Sequence, residues 1–427
     1  MNLQQNIIDK LKREVAPVTG CTEPVAVALA CAKARELLDS NLIEKVSIKL
    51  SPNVYKNGLA VGVPHTGEVG LNIAAALGLV ACKSSHSLAL LNTVKNKDVV
   101  RAKEFLKNNN IKIAIEDIDE KVYVKVELSS KCASSTAIIQ GAHDNFVYLE
   151  QNGNTLKERL SQNENKISKK DCIYNEKISN IITAIESVQL SEIQFLLEGI
   201  SMNKKVAAYG LKNKCGMGVG YTLNSYLKDG MLSDDVIAHA ERLTAAASDA
   251  RMSGVTLPVM TSNGSGNNGL TAILPIVAYQ EKIDVTEEKL AKALAISHIL
   301  NSYVKHYIGR LSPICGCGVA AGLGAGAAIT WLMDGTIKQI EGTIQNILGD
   351  ICGMICDGAK VGCALKLSTS ATIAVKSALL ASKDQIIPAG NGIVGKTPEQ
   401  TIRNLRDLAN KGMEGADATI IAAMLPK

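Results

Sequence analysis

Cysteine is the residue with which this chain could do most chemistry, because a thiolate is both a soft metal ligand and a nucleophile. Eleven cysteines are spread over 427 residues. Arg310-Leu-Ser-Pro-Ile-Cys315-Gly-Cys317-Gly opens a run of small residues that carries no charge until Asp334. Further on comes Ile351-Cys352-Gly-Met-Ile-Cys356-Asp357-Gly-Ala-Lys360-Val-Gly-Cys363, and near the start stands Thr19-Gly-Cys21-Thr22-Glu23-Pro24. No Cys-x-x-Cys occurs, so the pattern is not that of a two-pair zinc site. Cys21, one of Cys315 or Cys317, and Cys356 each adjoin a Gly-rich, polar-flanked loop. Three thiolates drawn from such distant segments would leave one metal position open, where substrate chemistry can occur. A cysteine among apolar neighbours is more often a small buried hydrophobe, and Cys31, Cys82, Cys132, Cys172, Cys215, Cys352 and Cys363 are read that way.

Two polar constellations could hold a small ligand. Met260-Thr261-Ser262-Asn263-Gly264-Ser265-Gly266-Asn267-Asn268-Gly269 interleaves short polar side chains with glycines, so its backbone amides can converge on a carboxylate or phosphate. The plainer reading is a solvated turn. Leu50-Ser-Pro-Asn53-Val-Tyr-Lys56-Asn57-Gly58, followed by Pro64-His65-Thr66-Gly67, places polar groups at strand ends.

The elements that must position these residues follow from periodicity. Apolar spacing predicts helices over Gln4 to Glu14 and Val25 to Leu38, the second with Pro24 suited to its first turn. Cys21 then precedes a helix N-terminus, whose free amides and dipole lower a thiol's pKa. Short alternating runs predict strands at 46–50, 111–115, 122–128, 137–139 and 146–149, with helices near 70–79 and 97–107 between them. Gln151 to Asn175 is polar and reads as a linker containing Cys172. After Lys177 the pattern is helical, including Thr286 to Ile308 with its acidic first turn, Ile337 to Met354, and Pro398 to Leu408 and Ala416 to Met424 closing a bundle. The expectation is an α+β protein. N-terminal helices (1–43) carry the first cysteine and pack on the catalytic domain; a small α/β domain (44–150) and a polar linker (151–175) follow, then a large all-α catalytic domain (176–427).

Composition narrows the function. Forty-six basic against 41 acidic side chains give a net charge of +5, too balanced to imply nucleic acid or a membrane surface. The first residues hold no apolar signal region, which points to a reducing cytoplasm without structural disulfides. Leu311 to Met333 is long enough to span a bilayer, but Pro313 and five glycines make it a buried helix instead. Gly- and Ala-rich helices are compatible with a homodimer.

Gly20-Cys-Thr-Glu-Pro24, Ser51-Pro-Asn53 with Lys56-Asn57-Gly58, Ala245-Ala-Ala-Ser-Asp249-Ala-Arg251-Met, Ser262-Asn-Gly-Ser-Gly-Asn267, Cys315-Gly-Cys317 and Cys356-Asp-Gly-Ala-Lys360 together resemble the iron–sulfur L-cysteine desulfidase family, over nearly the whole chain. The carboxy-terminal half is more distantly similar to the catalytic chain of oxygen-sensitive L-serine dehydratases. The resemblance implies a [4Fe–4S] cluster held by Cys21, Cys315 and Cys356, with Cys315 preferred over Cys317 for its distance from Cys356. It implies elimination of sulfide from L-cysteine to give pyruvate, ammonia and hydrogen sulfide. A soft, unliganded iron acts there as Lewis acid on the sulfur. Asn53, Lys56, Asn57, Thr66, Arg251, Ser262, Asn263, Ser265 and Asn268 are the candidate substrate-binding residues, and Lys56, Lys360 and Glu23 the candidate bases. His65 departs from the family's Pro-Gly-Thr-Gly pattern. The alternatives are L-serine dehydration by the same chemistry, a pyridoxal-phosphate lyase using Lys360, and a metal- or cluster-binding protein without turnover.

Overall fold

The computed structural model describes residues 2–108, 111–158, 172–309 and 311–425. Among them are seventeen α-helices and eight strands: β1 (Pro17–Val18), β2 (Lys45–Leu50), β3 (Ile111–Ile115), β4 (Tyr123–Ser129), β5 (Ser134–Gln140), β6 (Phe146–Gln151), β7 (Asn154–Glu158) and β8 (Val259–Met260). The fold is α+β. Six strands form one sheet in the order β3-β2-β4-β5-β6-β7, while β1 and β8 make a separate antiparallel pair. Only β2 and β3 run parallel, as the helical crossover between them requires.

Strict alternation builds the sheet. In β4 and β5 every second residue is buried, and Val124, Val126, Ala137 and Ile139 face helix Thr22–Leu37, on which Leu71–Val80 packs in turn. Among the described residues the other face carries no such layer, and polar residues alternate onto it. The helices of this layer cross at Gly78, where a Cβ would stand 2.2 Å from the Ala28 carbonyl oxygen, a separation only glycine allows.

The larger core is helical. Gly266–Gln280, Glu287–Ile308, Ile337–Ile351 and Cys363–Ala381 surround Ala321–Leu332, whose residues from Ala321 to Thr330 are all buried, and Val236–Met252 packs outside them on Cys363–Ala381. Small side chains make that possible. The apolar stretch 311–333 is therefore divided, with a turn, a π-helical segment Gly316–Ala320 and then a core helix. Among the described residues one helix, Cys363–Ala381, is long and apolar enough to cross a membrane, and 56% of its apolar window is buried inside the protein.

Three expectations are corrected. The N-terminal helices do not form one unit: Ile7, Ile8 and Leu11 of Leu3–Glu14 join the helical core, whereas Thr22–Leu37 belongs to the sheet's core. The linker's first residues form β7, an edge strand exposed on both faces, so alternation could not reveal it. Residues 159–171 of the linker lie outside the described ones. Helix Ala416–Met424 does not close the bundle but packs against Pro52–Gly58, a helix the sequence reading took for a strand-end loop.

Candidate active site

The sheet layer and the helical layer meet around a cavity of about 340 Å³. Cys21, Cys315 and Cys356 all line it, and so do Cys317 and Cys363. Local structure explains the convergence. An antiparallel bridge joins Ile314 to Ile355, with the Cys315 amide on the Met354 carbonyl at 2.8 Å and the Cys356 amide on that of Pro313 at 2.7 Å. The two carboxy-terminal cysteine loops are thus zipped side by side. Cys21 arrives from across the cavity as the N-cap of Thr22–Leu37, the position expected for it.

The electrostatic expectation for Cys21 fails. Its thiol is pushed up to about 11, because complete burial outweighs the neighbouring Arg251 guanidinium. Burial also raises Cys317 to about 11 against the pull of Lys305, and it holds Cys315 and Cys363 high. Cys317, Cys356 and Cys363 oppose the ionisation of Cys315, Cys356 and Cys363 that of Cys317, Cys356 that of Cys363, and Cys363 that of Cys21. Cys363, read as packing, therefore belongs to the site; its place as first residue of a helix seven positions after Cys356 was the available signal.

Five basic side chains, Lys56, Lys121, Arg251, Lys305 and Lys366, face the cavity against two acidic ones, Glu23 and Asp357. Such a wall favours an anionic occupant. Among the described residues no group of three His, Cys, Asp or Glu side chains is compact enough to hold a single metal ion. Buried soft donors spread around one cavity suit instead a polynuclear iron–sulfur group, whose bulk separates its ligands and whose iron offsets the cost of ionising them.

The Ser262–Asn268 segment is a tight hairpin running into a helix. Asn263 (φ 50°) and Gly264 (φ 71°) occupy left-handed backbone between bridged Ser262 and Ser265, the combination an Asn-Gly turn supplies. Ser265 then caps Gly266–Gln280, and Asn263, Ser265 and Asn268 all line the cavity with that helix's free amides. Arg251 fastens this turn to the Cys21 loop, donating to Asn267 Oδ1 at 3.1 Å and to the Gly20 carbonyl at 2.8 Å. Its Nε has no partner. Ser265 Oγ lies 3.7 Å from Cys317 Sγ.

Asn53, Lys56 and Asn57 also reach the cavity, from Pro52–Gly58. Lys56 is 1% exposed and donates to the Cys356 carbonyl at 3.1 Å and to Asp417 at 2.5 Å. Glu23 accepts from Thr22 Oγ1 at 3.2 Å and Asn57 Nδ2 at 3.3 Å.

Three predicted residues lie elsewhere. Thr66 closes its own turn, donating to the Val63 carbonyl at 2.8 Å. Ser262 is buried beneath the hairpin, with His298 Nδ1 and Asn301 Nδ2 each 2.8 Å from its hydroxyl. Lys360 pairs with Asp357 and is not part of the cavity wall, which removes the support for a Schiff-base role. Conversely, Lys121, His143, Lys305 and Lys366 were missed: the first three stand outside the motifs, and Lys366, three residues after Cys363, reads as an ordinary helix lysine.

A cavity that gathers thiols between a small sheet layer and a helical core accords with what the chain is related to. Residues 85–422 match the family model of the serine dehydratase alpha chain, and the protein belongs to that family. The match takes in Cys315, Cys317, Cys356 and Cys363, while Cys21 precedes it. Over nearly its full length the chain is similar to proteins designated UPF0597. One from Alkaliphilus oremlandii is 55% identical over 424 residues, 99% of each chain. Those of Clostridioides difficile and Caldanaerobacter subterraneus are 49% and 44% identical, covering 98% or more of each chain.

Proposed function

We propose that this protein is a carbon–sulfur lyase that eliminates sulfide from L-cysteine, with a [4Fe–4S] cluster held by Cys21, Cys315 and Cys356. The observation that carries the reading is the meeting of these cysteines, from three distant segments, on one cavity whose charged side chains are mostly cationic. A cluster with three protein ligands supplies a soft Lewis-acid iron for the departing sulfur. The chain's own residues do the rest. The free amides that begin Gly266–Gln280, with Arg251 beside them, receive the substrate carboxylate. Lys56 fixes the Cys356 carbonyl, and so the loop, against Asp417. The cavity walls limit water around the reacting carbon, which strengthens each of these charges.

A second reading, elimination of water from L-serine, is favoured by the family's name. The two differ only in the leaving group. Protein purified without oxygen should contain about four iron and four acid-labile sulfide per chain, and should release sulfide and pyruvate from L-cysteine in equal amounts. Pyruvate from serine without sulfide from cysteine supports the second reading; neither product refutes both.

A further inference from the structure

We propose that His143 is the general base that removes the Cα proton of the amino-acid substrate, an assignment that rests on the elimination proposed above. His143 stands on the turn between β5 and β6 and lines the cavity from the sheet side. The turn is held firmly. Gln140 N donates to the Asn145 carbonyl at 3.1 Å, Asn145 Nδ2 to the Gln140 carbonyl at 3.0 Å, and Gly141 N to the Val122 carbonyl at 2.9 Å. Ser87 Oγ reaches Asp144 at 3.4 Å. A catalytic group on a pinned hairpin keeps its geometry without a moving loop.

The other proton acceptors on the cavity wall are already engaged. Lys56 is tied to Asp417, Lys121 donates to the Leu311 carbonyl at 2.7 Å, and Lys366 pairs with Asp357 while donating to the Ile355 carbonyl at 2.7 Å. Lys305 lies against Cys317 and is engaged as well. Both Glu23 oxygens accept hydrogen bonds. His143 Nε2 is different: it is shielded from solvent and has no partner. A buried polar atom left without a partner calls for a reason, and a proton supplied by the substrate is one. Imidazole is also the side chain whose ordinary titration best matches proton transfer near neutrality.

The step balances. Nε2 takes the Cα proton, the C–H electron pair becomes the Cα–Cβ π bond, and the Cβ–S bond breaks with its pair remaining on sulfur. The imidazolium then returns its proton to the departing hydrosulfide, so that cysteine yields aminoacrylate and hydrogen sulfide. Water added to aminoacrylate gives pyruvate and ammonia.

His143→Gln and His143→Ala, prepared without oxygen as full-length holoprotein, test the assignment. Both should keep wild-type iron and acid-labile sulfide, and L-cysteine should still perturb the visible absorption of the cluster at the wild-type concentration. Sulfide release should fall about 10²–10⁴-fold, and added imidazole should restore part of the rate in His143→Ala but not in His143→Gln. If the wild type turns over and His143→Gln keeps more than about a tenth of its kcat, far above the loss expected for a missing base, the base assignment alone is overturned. Loss of the cluster in either variant overturns it too, since His143 would then hold the site together. A wild type that acts on neither cysteine nor serine overturns the proposed function and this assignment with it.

Discussion

At Cys21 two effects oppose each other. The helix start and Arg251 favour a thiolate, but burial costs the charge more, and the thiol stays protonated well above neutrality. A motif shows the dipole and the neighbour, whereas burial is set by residues far away, so this balance was not legible in the sequence. For Cys363 the position at a helix start seven residues after Cys356 was a signal, but only the folded loops bring the two thiols to one cavity. Replacing Cys21, Cys315 or Cys356 by Ala should each cost most of the bound iron and acid-labile sulfide, measured on anaerobic protein, while Cys132→Ala, on an exposed thiol away from the cavity, should keep both. His65 illustrates a residue whose anomaly was legible. It is exposed with φ of 68°, so the glycine of the family pattern answers a backbone need and not a chemical one. His65→Gly should raise stability by about 0.5–1 kcal/mol in denaturant titrations, the left-handed cost outweighing glycine's extra chain entropy.

Among the elements, those with a local code were read well. The N-cap Thr286, accepting from the Lys289 amide at 3.2 Å, and Ala416–Met424 stand where the caps and periodicity put them. β5 is longer than its apolar centre suggested, and β7 has no apolar alternation at all, because pairing with a neighbour rather than composition makes an edge strand. Caps also carry a pH signature. Asp235 Oδ1 accepts from the amides of Ile237 and Ala238, both at 2.9 Å, and the Ser233 hydroxyl with these amides holds its carboxyl below the ordinary value of 3.8. A lowered carboxyl stabilises the fold fully above the ordinary value and loses that contribution as pH falls through its own lower one. Asp235→Ala should therefore cost about 1 kcal/mol at neutral pH, and the gap between the two denaturation midpoints should close as pH is taken below 3.8.

For the whole molecule, the fold class was legible and the long-range partners were not. Alternation identifies a sheet layer and 3.6-residue spacing a helical one, but neither says that the second helix packs on the sheet or that the last helix returns to Pro52–Gly58. That return is tied by Asp417, 30% exposed, which accepts from Lys56, 1% exposed, and from Asn53 Nδ2 at 3.3 Å. Asp417→Ala leaves a buried ammonium with the Cys356 carbonyl alone and should destabilise the protein by about 2 kcal/mol, read as a shift in urea midpoint at unchanged slope. The motifs resembling a desulfidase meet in one place only because both layers contribute walls, and the central claim concerns what those walls hold. The most direct measurement is sulfide release from L-cysteine by anaerobic protein before iron is stripped by a chelator, after stripping, and after iron and sulfide are restored. The account predicts that release disappears with the iron and returns with it; release that continues undiminished in the iron-free protein would contradict it.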